Sequence, residues 1–104
     1  MLKLTVYIPE THLEVVKAAL FEAGAGRYAA YAECCWQILG TGQFRPLKDS
    51  KPFVGCLDQV AKVPEYRVEM ICREELVTAV IVALRKTHPY QEPAFDFVKI
   101  MYGI

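Results

Sequence analysis

Residues Leu2 to Gly24 read LKLTVYIPETHLEVVKAALFEAG. Leu2, Leu4, Val6 and Ile8 alternate with Lys3, Thr5 and Tyr7, the period of a strand with one apolar face. Pro9 ends that strand. Thr11 and Glu14 have the spacing of a capping box. Leu13, Val16, Leu20 and Ala23 then recur at helical spacing, and Gly24 stops the helix. A strand passing directly into an amphipathic helix is half of a βαβ unit. The strand begins at the first residues, so no N-terminal tail is expected. The run is too short, and Lys3 too central, for a secretory leader or a membrane span. No membrane partner is expected, and the cytoplasm is the expected location.

The same alternation recurs further on. Tyr28, Ala30, Ala32, Cys34, Trp36 and Ile38 form one apolar row, and Tyr31, Glu33, Cys35, Gln37 and Leu39 a mixed one. They predict a long strand over 28–39 whose first row faces the helices. Gly40 to Lys62, with three glycines and two prolines, reads as an irregular segment with short strand pieces such as Gly55 to Val60. Tyr66, Val68, Met70 and Cys72 predict a third strand. Glu74, Glu75, Leu76, Val77, Val80, Ile81 and Leu84, closed by Arg85, Lys86 and Pro89, predict a second helix. A last strand is expected over about Phe95 to Tyr102. Strand, helix, strand, strand, helix, strand gives an α+β fold: a ferredoxin-like βαββαβ sandwich with an antiparallel sheet and two helices on one face.

Length and composition agree. The 104 residues form one domain, 1–104. Twelve Lys and Arg balance twelve Asp and Glu, which gives no general attraction to a phosphate backbone, so nucleic acid is not an expected partner. Hydrophobic residues make up 54%. Two helices cover one face of four strands only. The other face is expected to carry Thr5, Tyr7, Tyr31, Cys35, Leu39 and Ile71, with Phe95, Phe97 and Met101 from the last strand. Such a face is too apolar for water, and a subunit interface through Tyr7, Tyr31, Cys35, Phe95 and Phe97 is the natural solution. The four cysteines lack a CxxC pair and read as small buried hydrophobes in a reducing compartment.

Two constellations carry chemistry. Gly40-Thr-Gly42-Gln-Phe44-Arg45, with Lys48 and Lys51 nearby, could cradle an anion such as a phosphate or nucleotide through backbone amides; a solvated charged loop is the plainer reading. His88 and Glu92, with Asp96, could bind a divalent metal; the competing reading has His88 capping the second helix by bonding its last carbonyls. No nucleophile, base and oxyanion donor come together in the pattern, so no catalytic residue is assigned.

The segments Gly24-Ala-Gly26-Arg-Tyr28, Gly40-Thr-Gly42-Gln-Phe44-Arg-Pro46 and Pro52-Phe-Val-Gly55, together with Glu69 and His88-Pro-Tyr-Gln-Glu-Pro-Ala-Phe-Asp96, resemble the PII/CutA-like domain of the YqfO, or Nif-three-like, family. In that family the stretch usually reads HPYEEPAYD; here Gln91 stands for a carboxylate and Phe95 for a tyrosine. The resemblance implies a ferredoxin-like fold shared with PII and CutA proteins, which are typically trimers. The family's dimetal ligands lie in other domains and are not carried over. Together these readings imply a non-enzymatic, homo-oligomeric regulatory or sensor module, a trimer ahead of a dimer, holding a small ligand at subunit clefts near Gly40, Gly42, Phe44 and Arg45. A regulated protein is a candidate partner. The alternative is a divalent-metal-binding protein with an ion-tolerance role.

Overall fold

The computed structural model describes residues 1–101. Strand β1 spans Leu2–Pro9, helix α1 Leu13–Glu22, β2 Trp36–Phe44, β3 Ala61–Cys72, helix α2 Val77–Thr87 and β4 Phe95–Lys99. The sheet order is β2-β3-β1-β4 with every neighbouring pair antiparallel. This is the ferredoxin-like βαββαβ arrangement. In β1, Leu4, Val6 and Ile8 are fully buried, and their register partners Met70, Val68 and Tyr66 share the face on which the helices lie. Val16 and Leu20 of α1 and Val80 and Leu84 of α2 close over them with no exposed surface. Burial of each such aliphatic side chain contributes about 1.5–3 kcal/mol.

Helix α1 begins at Leu13, as the spacing predicts, but its capping differs from the sequence reading. Residues Glu10–His12 form a 3-10 turn, no side chain caps α1, and Glu14 pairs instead with Lys17 at 3.5 Å. The expected capping box is not made; Thr11 Oγ1 lies 2.8 Å from His12 Nδ1.

The largest correction concerns the second strand. Residues 28–35, expected in a strand, form a turn. Tyr28 and Tyr31 exchange two backbone hydrogen bonds of 2.9 Å, and Ala29 and Glu33 take positive φ of 51° and 58°. Left-handed residues end an extended run whatever the alternation around them. Gly26 anchors the turn. Its N–H donates to Ile71 O and its carbonyl accepts from Cys34 N–H, both at 2.8 Å. At φ +77°, a Cβ here would meet Cys34 O and the Phe21 ring at 2.9 Å.

Strand β2 therefore begins at Trp36 and continues through Gly40 and Gly42, which had read as loop. Its faces are also inverted. Gln37 pairs with Val68 and Leu39 with Tyr66, so both lie on the helix side, and Lys17 of α1 donates to Gln37 Oε1 at 2.9 Å. Trp36 and Ile38 oppose Glu69 and Arg67 on the far face. β3 starts at Ala61, five residues before the expected Tyr66. Pro64 lies past the last β1 partner, where its missing N–H costs no ladder bond on that side. Between the two strands residues 45–60 are irregular, and no strand forms over 55–60.

The last strand is corrected in the same way. Phe97 pairs with Leu4 and Phe95 with Val6, so both face the helices and pack against the core, while Val98 is on the far face. Arg85 of α2 lies over the Phe95 ring at 5.4 Å. Cys35 also packs against the core rather than the far face, and Tyr31 lies exposed on the turn. Of the cysteines only Cys72 is buried, whereas Cys56 is exposed. The described strand ends at Lys99, and Tyr102 lies outside the described residues.

Candidate functional site

The end of the sheet where β1 finishes carries a cleft of about 330 Å³. Its floor is Tyr7 of β1, Phe44 of β2 and Glu65 of β3. One wall is Pro46, Pro52 and Phe53 from the β2–β3 connection; the other is Tyr90 to Glu92 and Ala94 from the α2–β4 connection.

The second wall is held rigidly. Pro89 and Pro93 fix two backbone angles. Both backbone groups of Tyr7 are engaged by this segment: its N–H donates to Ala94 O at 3.1 Å, and its carbonyl accepts from His88 Nε2 at 2.8 Å. The other ring nitrogen, Nδ1, accepts from Tyr90 N–H at 3.2 Å. His88 is therefore the neutral Nε2–H tautomer, spending both nitrogens on backbone. It is 6% exposed, and burial pushes its pKa below the usual imidazole value, outweighing the Tyr7 carbonyl and the Glu65 charge.

Tyr90 points into the cleft. Its hydroxyl donates to Glu65 Oε2 at 2.8 Å. Burial first, and the Glu65 carboxylate second, raise the phenol pKa far above its ordinary value. Phe44 and Phe53 stand 6.0 and 6.4 Å from the Tyr90 ring, centroid to centroid, and His12 meets Phe53 edge-on at 5.4 Å. The carboxylate of Glu65 lies where a Cβ of Gly42 would sit. Gly42 is in a strand because this charged group needs the space.

The sequence-predicted residues thus separate. Phe44 lines the cleft, Gly42 makes room for Glu65, and Gly40 faces Glu65 across the ladder. Arg45 is drawn off to Asp58 at 3.3 Å and does not line the cleft. Lys51 offers its backbone N–H to Gln91 Oε1 at 3.0 Å. Glu92 is on the rim, and His88 lies behind the wall. Among the described residues no three His, Cys, Asp or Glu side chains gather to hold a metal ion. The capping alternative for His88 is also corrected: its backbone N–H bonds Leu84 O at 2.8 Å, while the imidazole crosses to β1. Tyr7 is on the far face, as expected, and there it lines the cleft, to which it had not been assigned. Glu65, Tyr90 and Phe53 were missed. The available signal was Gly42 diagonal to a strand acid, visible only once the β2–β3 register is known.

No protein-family profile matches the chain. It is 41% identical over 99 residues to the Mycobacterium leprae protein named GTP cyclohydrolase 1 type 2 homolog, covering 95% of this chain and 26% of that protein. The Bacillus subtilis protein of the same name is 41% identical over 98 residues, 94% of this chain and 26% of its own length. A Bacillus cereus protein related to NIF3 superposes with a TM-score of 0.80 and 37% identity over 93% of this chain and 24% of its own. The chain is a homologue of the Nif-three-like, or YqfO, family. It spans about a quarter of the length of the curated relatives it matches. The divalent cation tolerance protein CutA of Archaeoglobus fulgidus superposes over all of this chain and 88% of its own, with a TM-score of 0.68 and 17% identity. That likeness establishes the PII/CutA-like fold. No described helix is long and apolar enough to cross a membrane.

Proposed function

We propose that this Nif-three-like chain is a non-enzymatic, self-associating cytoplasmic regulatory or sensor module that takes a small ligand in the cleft floored by Tyr7 and Glu65. The observation that carries it is the far face of the sheet. Trp36 and Ile38 on one edge of the sheet and Val98 on the other are 55%, 53% and 55% exposed there, with Lys3, Arg67 and Glu69 between them. Large apolar side chains left this exposed on a sheet face favour contact with a second copy over contact with water. The interface set changes accordingly: Trp36, Ile38 and Val98 replace Cys35, Phe95 and Phe97, whose side chains face the helices. The cleft opens at the end of this same face, so assembly would narrow its mouth.

The non-enzymatic part of this reading rests on His88. His88 has no free ring nitrogen, and no nucleophile touches it among the described residues. The relatives' name, GTP cyclohydrolase 1 type 2 homolog, belongs to chains about four times as long.

Light scattering on the full chain at micromolar concentration tests the assembly. The expected mass is a multiple of 11.8 kDa, three copies ahead of two. A strictly monomeric chain would remove the basis of the proposal.

A further inference from the structure

The lining of the cleft is one-sided in charge. Its ionisable acids are Glu65 on the floor and Glu92 on the rim, and no Lys or Arg side chain lines it. Ion pairs elsewhere in the described residues use Glu14, Asp58 and Glu69; neither Glu65 nor Glu92 has a cationic partner there. Beside the lining, Arg45 pairs with Asp58 at 3.3 Å, and Lys51 gives its backbone N–H to Gln91 Oε1 at 3.0 Å. Ser50 spends its hydroxyl hydrogen on Leu47 O at 2.7 Å. Glu65 receives one hydrogen bond, from the Tyr90 hydroxyl at its Oε2. An ionised carboxylate has acceptor sites for about four, so capacity for a donor remains.

Around this carboxylate stand Tyr7, Phe44, Phe53 and Tyr90. Ring faces attract cations through their quadrupole, by about 0.5–2 kcal/mol per well-placed ring. A phosphate or nucleotide would meet the reverse: two carboxylates, no basic side chain and apolar walls, a like-charge contact in a partly dry site. The anion site expected from Gly40, Gly42 and Arg45 therefore does not fit this cleft.

We infer that the cleft binds a small protonated amine with an apolar or aromatic body, its ammonium donating to Glu65 and its body lying against Phe44, Phe53 and Tyr90. This rests on the ligand-binding part of the proposed function and specifies its chemistry. The volume of about 330 Å³ is at the small end for ligand pockets and limits the occupant to a compact molecule. Gly42 is then part of the recognition. It lets Glu65 lie flat on the floor, where the carboxylate reaches the cleft and the Tyr90 hydroxyl together.

Titration calorimetry with three ligands of one shape tests this: benzylammonium, benzyl alcohol and phenyl phosphate, on the full chain. Benzylammonium should bind at least about tenfold more tightly than the alcohol, and phenyl phosphate should give no heat, because charge-assisted bonds exceed neutral ones. Glu65→Gln keeps an oxygen for the Tyr90 hydroxyl and should bring ammonium and alcohol within about threefold of each other. Phe53→Ala, at a half-exposed ring outside the buried core, should weaken ammonium and alcohol alike. If the alcohol binds as tightly as the ammonium, or the phosphate more tightly, the cation inference falls while a ligand cleft stands. If none of the three saturates at 10 mM, both fall, and self-association is judged separately by light scattering.

Discussion

On the helix face of the sheet Leu4, Val6, Val68 and Met70 have no accessible surface; on the far face Trp36, Ile38 and Val98, carried by β2 and β4, are more than half exposed. Where β1 and β3 pair, the helix side is apolar throughout, whereas the far side sets Lys3, Glu65, Arg67, Glu69 and Asp96 among its apolar residues. Two helices of 10 and 11 residues close one side. On the other side the 45–60 and 88–94 connections meet over one end of the sheet and form a cleft rather than a core, while Thr5 and Ile71 are also buried there. One face of the sheet thus holds the chain together, and the other is the face to which the proposed function assigns recognition.

The greatest sensitivity should be on the closed face. Leu20→Ala removes a fully buried α1 side chain and should cost about 2–5 kcal/mol, lowering the melting temperature by roughly 10 °C or more. Urea unfolding of the variant measures it, and a loss below about 1 kcal/mol would mean that α1 is loosely packed. Gly26→Ala should come next, at about 1–3 kcal/mol, because φ +77° is strained for alanine and the new methyl would meet Cys34 O and Phe21. A neutral outcome would show that the 27–35 turn can be rebuilt without this anchor.

A third, smaller effect links the two faces through pH. Burial lowers the His88 pKa below its unfolded value near 6.5. The unfolded chain then binds more protons than the native one below that value. Stability is fully present above pH 6.5 and declines as pH falls through it toward the lower native pKa. Glu65 and His12 are the charged groups that bear on the ring, with opposite signs. Protonation would also turn Nδ1 from acceptor to donor and break the Tyr90 N–H bond. Urea midpoints between pH 7.5 and 5 should decline in the natural chain and flatten in His88→Gln, which has a lower midpoint throughout. An equal slope in both would assign the pH dependence to other groups.

Where the sequence was legible, the reason was a single constraint acting alone. Strand β1 and the ends of both helices are visible because alternation, prolines and glycine agree there. Strand β2 was misplaced because alternation continues through residues 28–35 while Ala29 and Glu33 take left-handed conformations that no residue type signals. Gly40 and Gly42 looked like loop and are ladder residues. Phe95 and Phe97 were put on the wrong face because both rows of β4 are apolar, and only the register with Val6 and Leu4 separates them. The site shares that limit. His88 and Phe44 stood out by type, whereas Glu65 and Tyr90 form a pair only after a separation of 25 residues is folded away.

The smallest effect on the fold should have the largest effect on assembly. Ile38 lies on the far face directly opposite Arg67. Ile38→Glu therefore places a carboxylate across the ladder from a guanidinium, a pair that stabilises a sheet by about 0.2–1 kcal/mol. Arg67 already bonds Glu69 at 2.9 Å, so the gain should be at the low end, and the melting temperature of the dissociated chain should scarcely move. In an assembly built on this face the added charge is taken out of water with its ladder partner once per copy, and desolvating such a pair costs several kcal/mol per ion. Trp36→Lys, opposite Glu69, makes the matching change with the other sign of charge. Each variant should scatter light as a monomer at concentrations where the natural chain is assembled, while its circular dichroism stays the same. Natural-size assemblies in both would move the interface off this face, and with it the division of labour between the two sides of the sheet.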